Sequence, residues 1–333
     1  MQLIEPAGRQ ILVVDDDPTV GAALEQILKH EGYHVTRARD GRGAIKVVDA
    51  SPPDLILLDL NMPNMGGFEV CKRIKGNPAT TLLPIVIVTG ESEFDARMQA
   101  WEVGADDFLT KPFQLVEVLA RCRSLLRTKQ LIDELDSAQS VLFAFARTLE
   151  AKSRYTQGHS ERVTRHALWL AERVGVPATE RETLRRGSLL HDIGKISIPD
   201  AVLDKPARLT PEEYAVVKRH PEEGVRMVES LRSIRDVIPH IRWHHERMDG
   251  GGYPDGLFAA NIPLAVRVLS VADVYDALAT ERPYRPALAI DECFRIMHAD
   301  AAGGGLDPEL VKEFCADPPI PEQGPIPATA AAL

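Results

Sequence analysis

Seven histidines and aspartates in the second half of this 333-residue chain fall at spacings that suit metal-ion chemistry. His159 lies in YTQGHS, His191 and Asp192 in LLHDIGK, His220 in VKRHP, His244 and His245 in WHHERMDGGGYP, and Asp273 in VADVYDAL. A lone histidine is more often a core or surface residue than a ligand, and His30, His166 and His298 are read that way. The seven differ because they recur beside a carboxylate or a second histidine within apolar helical segments. Burying so many imidazoles and carboxylates without compensation is costly, and a metal centre supplies the compensation. Mixed histidine and carboxylate sets suit Zn, Mn, Fe or Ni better than Ca or Mg. Two such ions can activate a water at neutral pH and clamp an in-line displacement at phosphorus. Lys195 and Arg282 are the cations at hand to hold a phosphate. Lys195 falls one helical turn after His191, which predicts that both project from one face.

A second set, in the first half, is acidic. One apolar run ends in Asp15, Asp16 and Asp17, another in Asp59 and a third in Thr89; a fourth leads into Lys111 and Pro112. Clustered carboxylates repel one another, so such a pocket calls for a hard cation, and Mg²⁺ prefers oxygen ligands of this kind. A carboxylate held there can attack a phosphoryl group and become an acyl phosphate. A hydroxyl and an ammonium nearby would then bind the phosphate oxygens.

Both sets need elements to position them. Apolar runs at 11–14, 34–38, 55–58, 85–88 and 108–109 alternate with amphipathic patterns such as 20–30 and 66–75. This predicts an α/β unit with a doubly wound, five-stranded parallel sheet. Function in such sheets collects at the carboxyl ends of the strands. A continuous helical stretch follows at 115–152. Within it Leu131, Leu135, Ala138, Leu142, Phe145 and Leu149 recur at alternating steps of four and three, a coiled-coil seam that predicts a homodimer. Beyond it the pattern is all helical, with examples at 163–174, 180–191, 211–220 and 263–278. The expected division is a sheet domain at 9–126, a linker helix at 127–149, a helical bundle at 150–317 and a disordered Pro- and Ala-rich tail at 318–333.

Composition narrows the classes. The apolar fraction is 44%, the charged fraction 26% and the net charge −10. An acidic chain without a basic recognition helix does not suit direct DNA binding. The four cysteines are not spaced as a metal knuckle or redox pair, which points to a reducing cytoplasm. No apolar run approaches the ~20 residues that span a bilayer, and no signal-peptide layout opens the chain, so a cytoplasmic location is expected.

The segments VVDDD, PDLILLDLNMPNMGG, PIVIVTG and FLTKPF resemble the response-regulator receiver family. The resemblance implies that Asp59 is the phosphoacceptor, served by a cognate sensor histidine kinase. It implies that Asp15, Asp16, Asp59 and the Asn61 backbone bind Mg²⁺, that Thr89 and Lys111 sense the phosphate, and that Phe108 is the aromatic switch. The segments HDIGK, HHERMDGGGYP and ADVYDAL followed by TERPYR resemble the HD-GYP family, over about residues 149–317. That resemblance implies a helical bundle whose binuclear metal centre hydrolyses cyclic di-GMP to pGpG, and in some members to GMP. By the same resemblance His159, His191, Asp192, His220, His244, His245 and Asp273 are metal ligands, with Asp192 the bridge. Lys195 and Arg282 would contact the scissile phosphate, and Gly252, Tyr253 and Pro254 would form a turn beside the site. That turn reads equally as a substrate contact or as a bend that positions His244 and His245. Some members carry a carboxylate four residues before the first histidine, where it helps hold a third metal. Here that position is Tyr155, Glu150 has the wrong spacing, and two metals are expected. Leu306 replaces the phenylalanine common before Asp-Pro. Alternatives from other classes are a non-catalytic cyclic-dinucleotide or protein-binding module, and a phosphodiesterase for a different cyclic dinucleotide.

Overall fold

The computed structural model describes residues 8–90, 94–151, 157–281 and 285–318, with the backbone alone for 94–97. They fall into two compact units, one reaching Ser137 and the other starting at Ala138.

The first unit holds five strands: β1 (Gln10–Val14), β2 (His34–Ala38), β3 (Leu55–Asp59), β4 (Ile85–Thr89) and β5 (Asp107–Thr110). Its helices are α1 (Pro18–His30), α2 (Gly41–Ala50), α3 (Gly67–Lys75), α4 (Phe94–Glu102) and the start of α5 (Leu115–Ala151). The strands pair in the order β2-β1-β3-β4-β5, and all are parallel. Successive side chains on a strand face opposite ways, so the aliphatic runs feed two cores. Leu12, Val14, Ile56, Leu58, Ile85 and Ile87 pack on one face with Ile45 and Val70 from α2 and α3. Ile11, Val13, Leu55, Leu57, Val86 and Val88 pack on the other with Leu24 and Val118 from α1 and α5. This double burial explains why β3 and β4 read as unbroken apolar runs. Helix α1 starts where Asp17 accepts the Thr19 N–H and Pro18 occupies its first turn. The strand order reverses at β1, which is flanked by β2 and β3, so the loops after β1 and β3 open a crevice there.

Helix α5 is one continuous element of 37 residues. The division between the units thus falls inside the segment expected as a linker. The seam is only partly free. Leu142 packs with Phe143 and Ala146 against Leu190, Ile193, Val228 and Ile241 of the second unit. Leu131, Leu135, Ala138 and Phe145 are exposed, while Leu149 is half-buried. A seam residue spent on an intradomain core cannot also face a partner helix, so the unpartnered stripe is shorter than the heptad pattern predicts.

The second unit is helical: α6 (His159–Arg173), α7 (Ala178–Leu190), α8 (Asp200–Leu203), α9 (Pro211–Val217), α10 (His220–Val228), α11 (Ile238–Trp243), α12 (Leu264–Ala279), α13 (Ile290–Ala302) and α14 (Pro308–Ala316). Residues from α6, α7, α12, α13 and α14 share its main core, around Leu170, Leu184, Leu269, Met297 and Phe314. The helix expected over 211–220 is two. α9 stops at Val217, and α10 begins at His220 with Pro221 in its first turn. Proline lacks the N–H needed inside a helix but is well placed at the start of one, so the break puts His220 at a helix N-terminus. Lys195 is also not on a continuation of α7. It lies on a 3₁₀ segment, Ile193–Ser197, after the helix has ended. Among the described residues no helix is long and apolar enough to cross a membrane. The expected tail falls outside the described residues from 319 onward.

Candidate functional site

In the second unit the structure brings all seven predicted histidines and aspartates together. Their ligand atoms form two groups, His159 with His191 and Asp273, and Asp192 with His220, His244 and His245. Atoms within each group lie within 4.8 Å of one another. His159 opens α6, His191 and Asp192 cap α7, His220 opens α10, His244 caps α11 with His245 next, and Asp273 lies within α12. The site is thus built from helix ends around one long helix.

Asp192 stands between the groups. Its Oδ2 is 3.6 Å from His159 Nε2 and 3.5 Å from His191 Nε2, while its Oδ1 is 3.4 Å from His220 Nε2 and 3.8 Å from His244 Nε2. Asp273 Oδ1 completes the first group at 3.2 Å from His159 Nε2 and 4.0 Å from His191 Nε2.

Hydrogen bonds behind the rings fix which nitrogens face inward. His191 Nδ1 donates to the Ser188 carbonyl (2.7 Å) and His220 Nδ1 to the Val217 carbonyl (2.8 Å). His244 Nδ1 is shared between the His240 and Ile241 carbonyls at 3.1 and 3.0 Å. A carbonyl oxygen only accepts, so each Nδ1 carries the proton and each Nε2 presents a lone pair. His220 Nε2 and His244 Nε2 then face each other at 3.1 Å as two acceptors. Buried His191 Nε2 and Asp192 Oδ1 have no hydrogen-bond partner among the described residues. Such orphaned acceptors are costly unless a cation sits between them, and ligand separations of 3–4 Å suit bonds of about 2.0–2.2 Å to one ion. The residues therefore fit the metal pair that their types imply.

Electrostatics agree. Burial pushes His220 down to about 3 and His245 down to about 4, and holds His244 well below the usual imidazole range. All three are neutral at neutral pH, as a metal ligand must be. Burial opposes ionisation of Asp192, but the Lys195 ammonium, with the charged His159 beside it, outweighs it and keeps the carboxyl well below its ordinary range. At His159 burial is overcome by Asp273 and Asp276, which raise the imidazole to about 9. The site demands positive charge at that nitrogen, from a proton or from a metal ion.

Two residues of this arrangement escaped the sequence reading. Asp276 Oδ2 accepts from His159 Nδ1 at 2.7 Å, and Arg162 clamps the same carboxylate from its Nε at 2.7 Å. This is the carboxylate–histidine pairing that orients a metal-binding ring. Asp276 lies one turn beyond Asp273 on α12, and that i,i+3 relation was a usable signal.

Lys195 reaches the site despite lying off α7, with Nζ 2.5 Å from Asp192 Oδ2. The turn that carries it needs Gly194, where a Cβ would overlap the carbonyl of His220. Gly252 is also a packing residue, because a Cβ there would run into the backbone of Glu246 and Arg247. The Tyr253 N–H donates to the His245 carbonyl at 3.2 Å, and its ring lies 4.8 Å from that of His245. Glu246 holds the same loop by accepting from the N–H groups of Asp255, Gly256 and Leu257. Pro254, half-buried in this turn, follows a cis bond from Tyr253. The bend is thus built onto the histidine pair, and Tyr253 also lines a cavity beside it. Leu306 lines that cavity too. Glu150 is buried and accepts from the Ser160 N–H, tying α5 to the start of α6. Arg282 and Tyr155 lie outside the described residues.

In the first unit Asp15, Asp16 and Asp59 group their carboxylates at the strand ends. Lys111 Nζ donates to Asp15 Oδ2 (2.9 Å) and Asp59 Oδ1 (2.6 Å), and the Asn61 N–H donates to Asp59 Oδ2 (3.0 Å). Asp59 is 5% exposed, and burial raises its pKa against the pull of Lys111. Thr89 is buried at the end of β4, and Phe108 is half-buried on β5 with the Arg121 guanidinium 5.7 Å from its ring centroid.

Comparison with known proteins agrees with the division into two domains. Residues 11–123 match the response regulator receiver domain family and residues 144–310 the HD domain family. The chain is 34% identical over 327 residues to the cyclic di-GMP phosphodiesterase response regulator RpfG of Xanthomonas campestris pv. campestris, covering 91% of this chain and 86% of that one. It is 33% identical over 339 residues to a probable cyclic di-GMP phosphodiesterase of Vibrio cholerae serotype O1, covering 91% and 76%. A 3'3'-cGAMP-specific phosphodiesterase of the same organism matches 53% of this chain and 38% of its own length at 38% identity. With a receiver and an HD domain in one chain and relatives that align over most of both lengths, this protein belongs to the cyclic di-GMP phosphodiesterase family of response regulators, its receiver followed by a metal-dependent hydrolase domain of HD-GYP type.

Proposed function

We propose that the protein hydrolyses cyclic di-GMP to pGpG, GMP or both at a binuclear centre, under control of phosphorylation at Asp59. The observation that carries this reading is Asp192, whose two oxygens serve two separate histidine groups with inward lone pairs. His159, His191 and Asp273 would hold one ion, His220, His244 and His245 the other, and Asp192 both. The donor set accepts Fe, Mn, Ni or Zn. When bound, the ions supply an activated water and neutralise phosphate oxygens. The chain's own residues do the rest. Asp276 behind His159 and the carbonyls behind His191, His220 and His244 keep the Nε2 atoms of these rings aimed inward. Lys195 stands ready to shift from Asp192 towards the scissile phosphate as charge develops on it. Arg282 is assigned the same task by its motif. A third metal would need a carboxylate at position 155, which carries tyrosine.

At Asp59 a phosphoryl group would be taken from a cognate sensor histidine kinase, with Mg²⁺ on Asp15, Asp16, Asp59 and the Asn61 backbone. Lys111 already bridges two of these carboxylates, and Thr89 and Phe108 would respond to the phosphate. The exposed stripe of α5 would pair in a homodimer and carry the response. Four free cysteines and an acidic surface suit a cytoplasmic protein that does not bind DNA directly.

The similarity to a cGAMP-specific enzyme favours one second reading, that a different cyclic dinucleotide is the preferred substrate. Incubating metal-loaded protein with cyclic di-GMP and 3'3'-cGAMP side by side tests both. A linear product mainly from cyclic di-GMP is expected. Preference for cGAMP would select the second reading, and no product from either would point to a binding module.

A further inference from the structure

Beside the metal ligands is a cavity of about 290 Å³, with His244 and His245 in its wall. That is the small end of the ~300–1,000 Å³ range of ligand pockets and suits half a cyclic dinucleotide better than the whole ring. One wall is built by α9 and the residue that caps it. Tyr214 on α9 and Lys218 at its C-terminal cap, within the VKRHP segment, lie four residues apart and both line the cavity.

The Lys218 ammonium lies 4.8 Å from the Tyr214 ring centroid and 5.4 Å from the Tyr253 ring centroid. Tyr253 in turn rests on His245 with ring centroids 4.8 Å apart. A chain of contacts thus runs from a candidate metal ligand through Tyr253 and Lys218 to Tyr214. Among the described residues the other cation lining the cavity is Arg247, tied to Asp300 at 2.8 Å and to Asp249 at 3.5 Å. Lys218 instead has aromatic faces for neighbours, which position an ammonium without neutralising it. Tyr214 is 46% exposed, so part of its ring is open to a stacking partner.

A cyclic dinucleotide carries two phosphates and two purine bases, and only one phosphate can sit at the metal ligands. The second half needs a cation for its phosphate and a flat apolar face for its base. Resting on the reading of the centre as a cyclic-dinucleotide phosphodiesterase, we propose that Tyr214 and Lys218 form the subsite for the half that is not cleaved. Lys218 pairs with the distal phosphate, and the purine stacks on Tyr214. Base stacking on an aromatic side chain tightens binding and accepts any purine, so this subsite holds the second half without choosing its base.

The test is steady-state kinetics of the full-length, metal-loaded protein on cyclic di-GMP and on bis(p-nitrophenyl) phosphate, a diester with no second nucleotide. Tyr214→Ala and Lys218→Ala are each expected to raise KM for cyclic di-GMP about tenfold while kcat moves less than about twofold. Tyr214→Trp and Lys218→Arg are expected to restore most of it. The small diester should show no comparable rise, because it does not reach the subsite. Equal losses on both substrates would mean that α9 merely supports the metal ligands, and unchanged KM for cyclic di-GMP would remove the subsite outright. Wild-type protein that cleaves the small diester but no cyclic dinucleotide would overturn the cyclic-dinucleotide reading together with the subsite. Wild-type turnover of cyclic di-GMP with unaffected variants would overturn the subsite alone.

Discussion

Asp276 never faces the space between the metal-binding groups, yet it decides which nitrogen of His159 does. Its carboxylate takes the Nδ1 proton, and Arg162 holds the carboxylate in turn. Loss of such an orienting partner typically costs 10–100-fold in metal affinity or activity. Asp276→Asn is therefore expected to weaken metal retention by about that factor while the fold is kept, as read by metal analysis after dialysis and by circular dichroism. Unchanged metal content would show that His159 needs no orienting carboxylate. Gly194→Ala tests the opposite kind of residue, one that acts by having no side chain. An added Cβ meets the backbone of His220 and Gly224, so the Lys195 turn and α10 must separate. Overpacking of this kind costs ~1–3 kcal/mol, and the Tm of the hydrolase domain should fall accordingly. The seven candidate ligands were legible in sequence because each sits in a compact motif. Asp276 lies one turn beyond Asp273 in the same motif, but only the fold shows that it meets His159, 117 positions away. Tyr214 and Lys218 escaped for the same reason, because their spacing marks one helix face but not what that face meets.

At the scale of elements, most candidate site residues lie at the ends of strands and helices, and Asp273 inside α12 is an exception. The sheet was readable because strands buried on both faces are aliphatic throughout, and the observed strands differ from the expected ones by a residue at most at either end. The breaks in helices were harder. The run at 211–220 keeps a helical pattern across Lys218 and Arg219, while Pro221 starts a new helix and so brings His220 into the site. The seam on α5 is periodic in sequence, but period alone does not say whether Leu142 meets its own domain or a second chain. Helix α6 carries a further consequence. His166 is buried against Tyr275 and Phe314, and burial depresses its pKa to about 4. A depressed histidine favours the folded state fully above its unfolded pKa of about 6.5, and that contribution is lost as pH falls towards 4. The shift corresponds to about 3 kcal/mol at most. His166→Phe should therefore flatten the decline in hydrolase-domain stability between pH 6.5 and 4, as followed by urea unfolding. An equally steep decline in the variant would remove His166 from the account.

On the scale of the whole molecule, one chain carries a receiver domain with an acidic cluster and an HD domain with a histidine-rich cluster. Each domain has its own core, and helix α5 contributes Val118, Cys122 and Leu126 to one and Ala146 to the other. If phosphorylation controls turnover, this continuous helix is the route we propose, because a shift at its start must be absorbed along its length or at its far end. If its exposed stripe pairs two copies, Leu131→Glu with Leu135→Glu should convert a dimer to a monomer in sedimentation and abolish the response of turnover to beryllofluoride. A dimer that survives both changes would place the interface elsewhere.

The central claim is that one centre holds two metal ions and uses them on cyclic di-GMP. Metal analysis of anaerobically purified protein, with product analysis on the same sample, tests it most directly. The account predicts about two first-row metal ions per chain, a linear dinucleotide or GMP as product, and loss of both metal and turnover in Asp192→Ala. Protein without metal, or an Asp192→Ala variant with full metal content and full turnover, would contradict it.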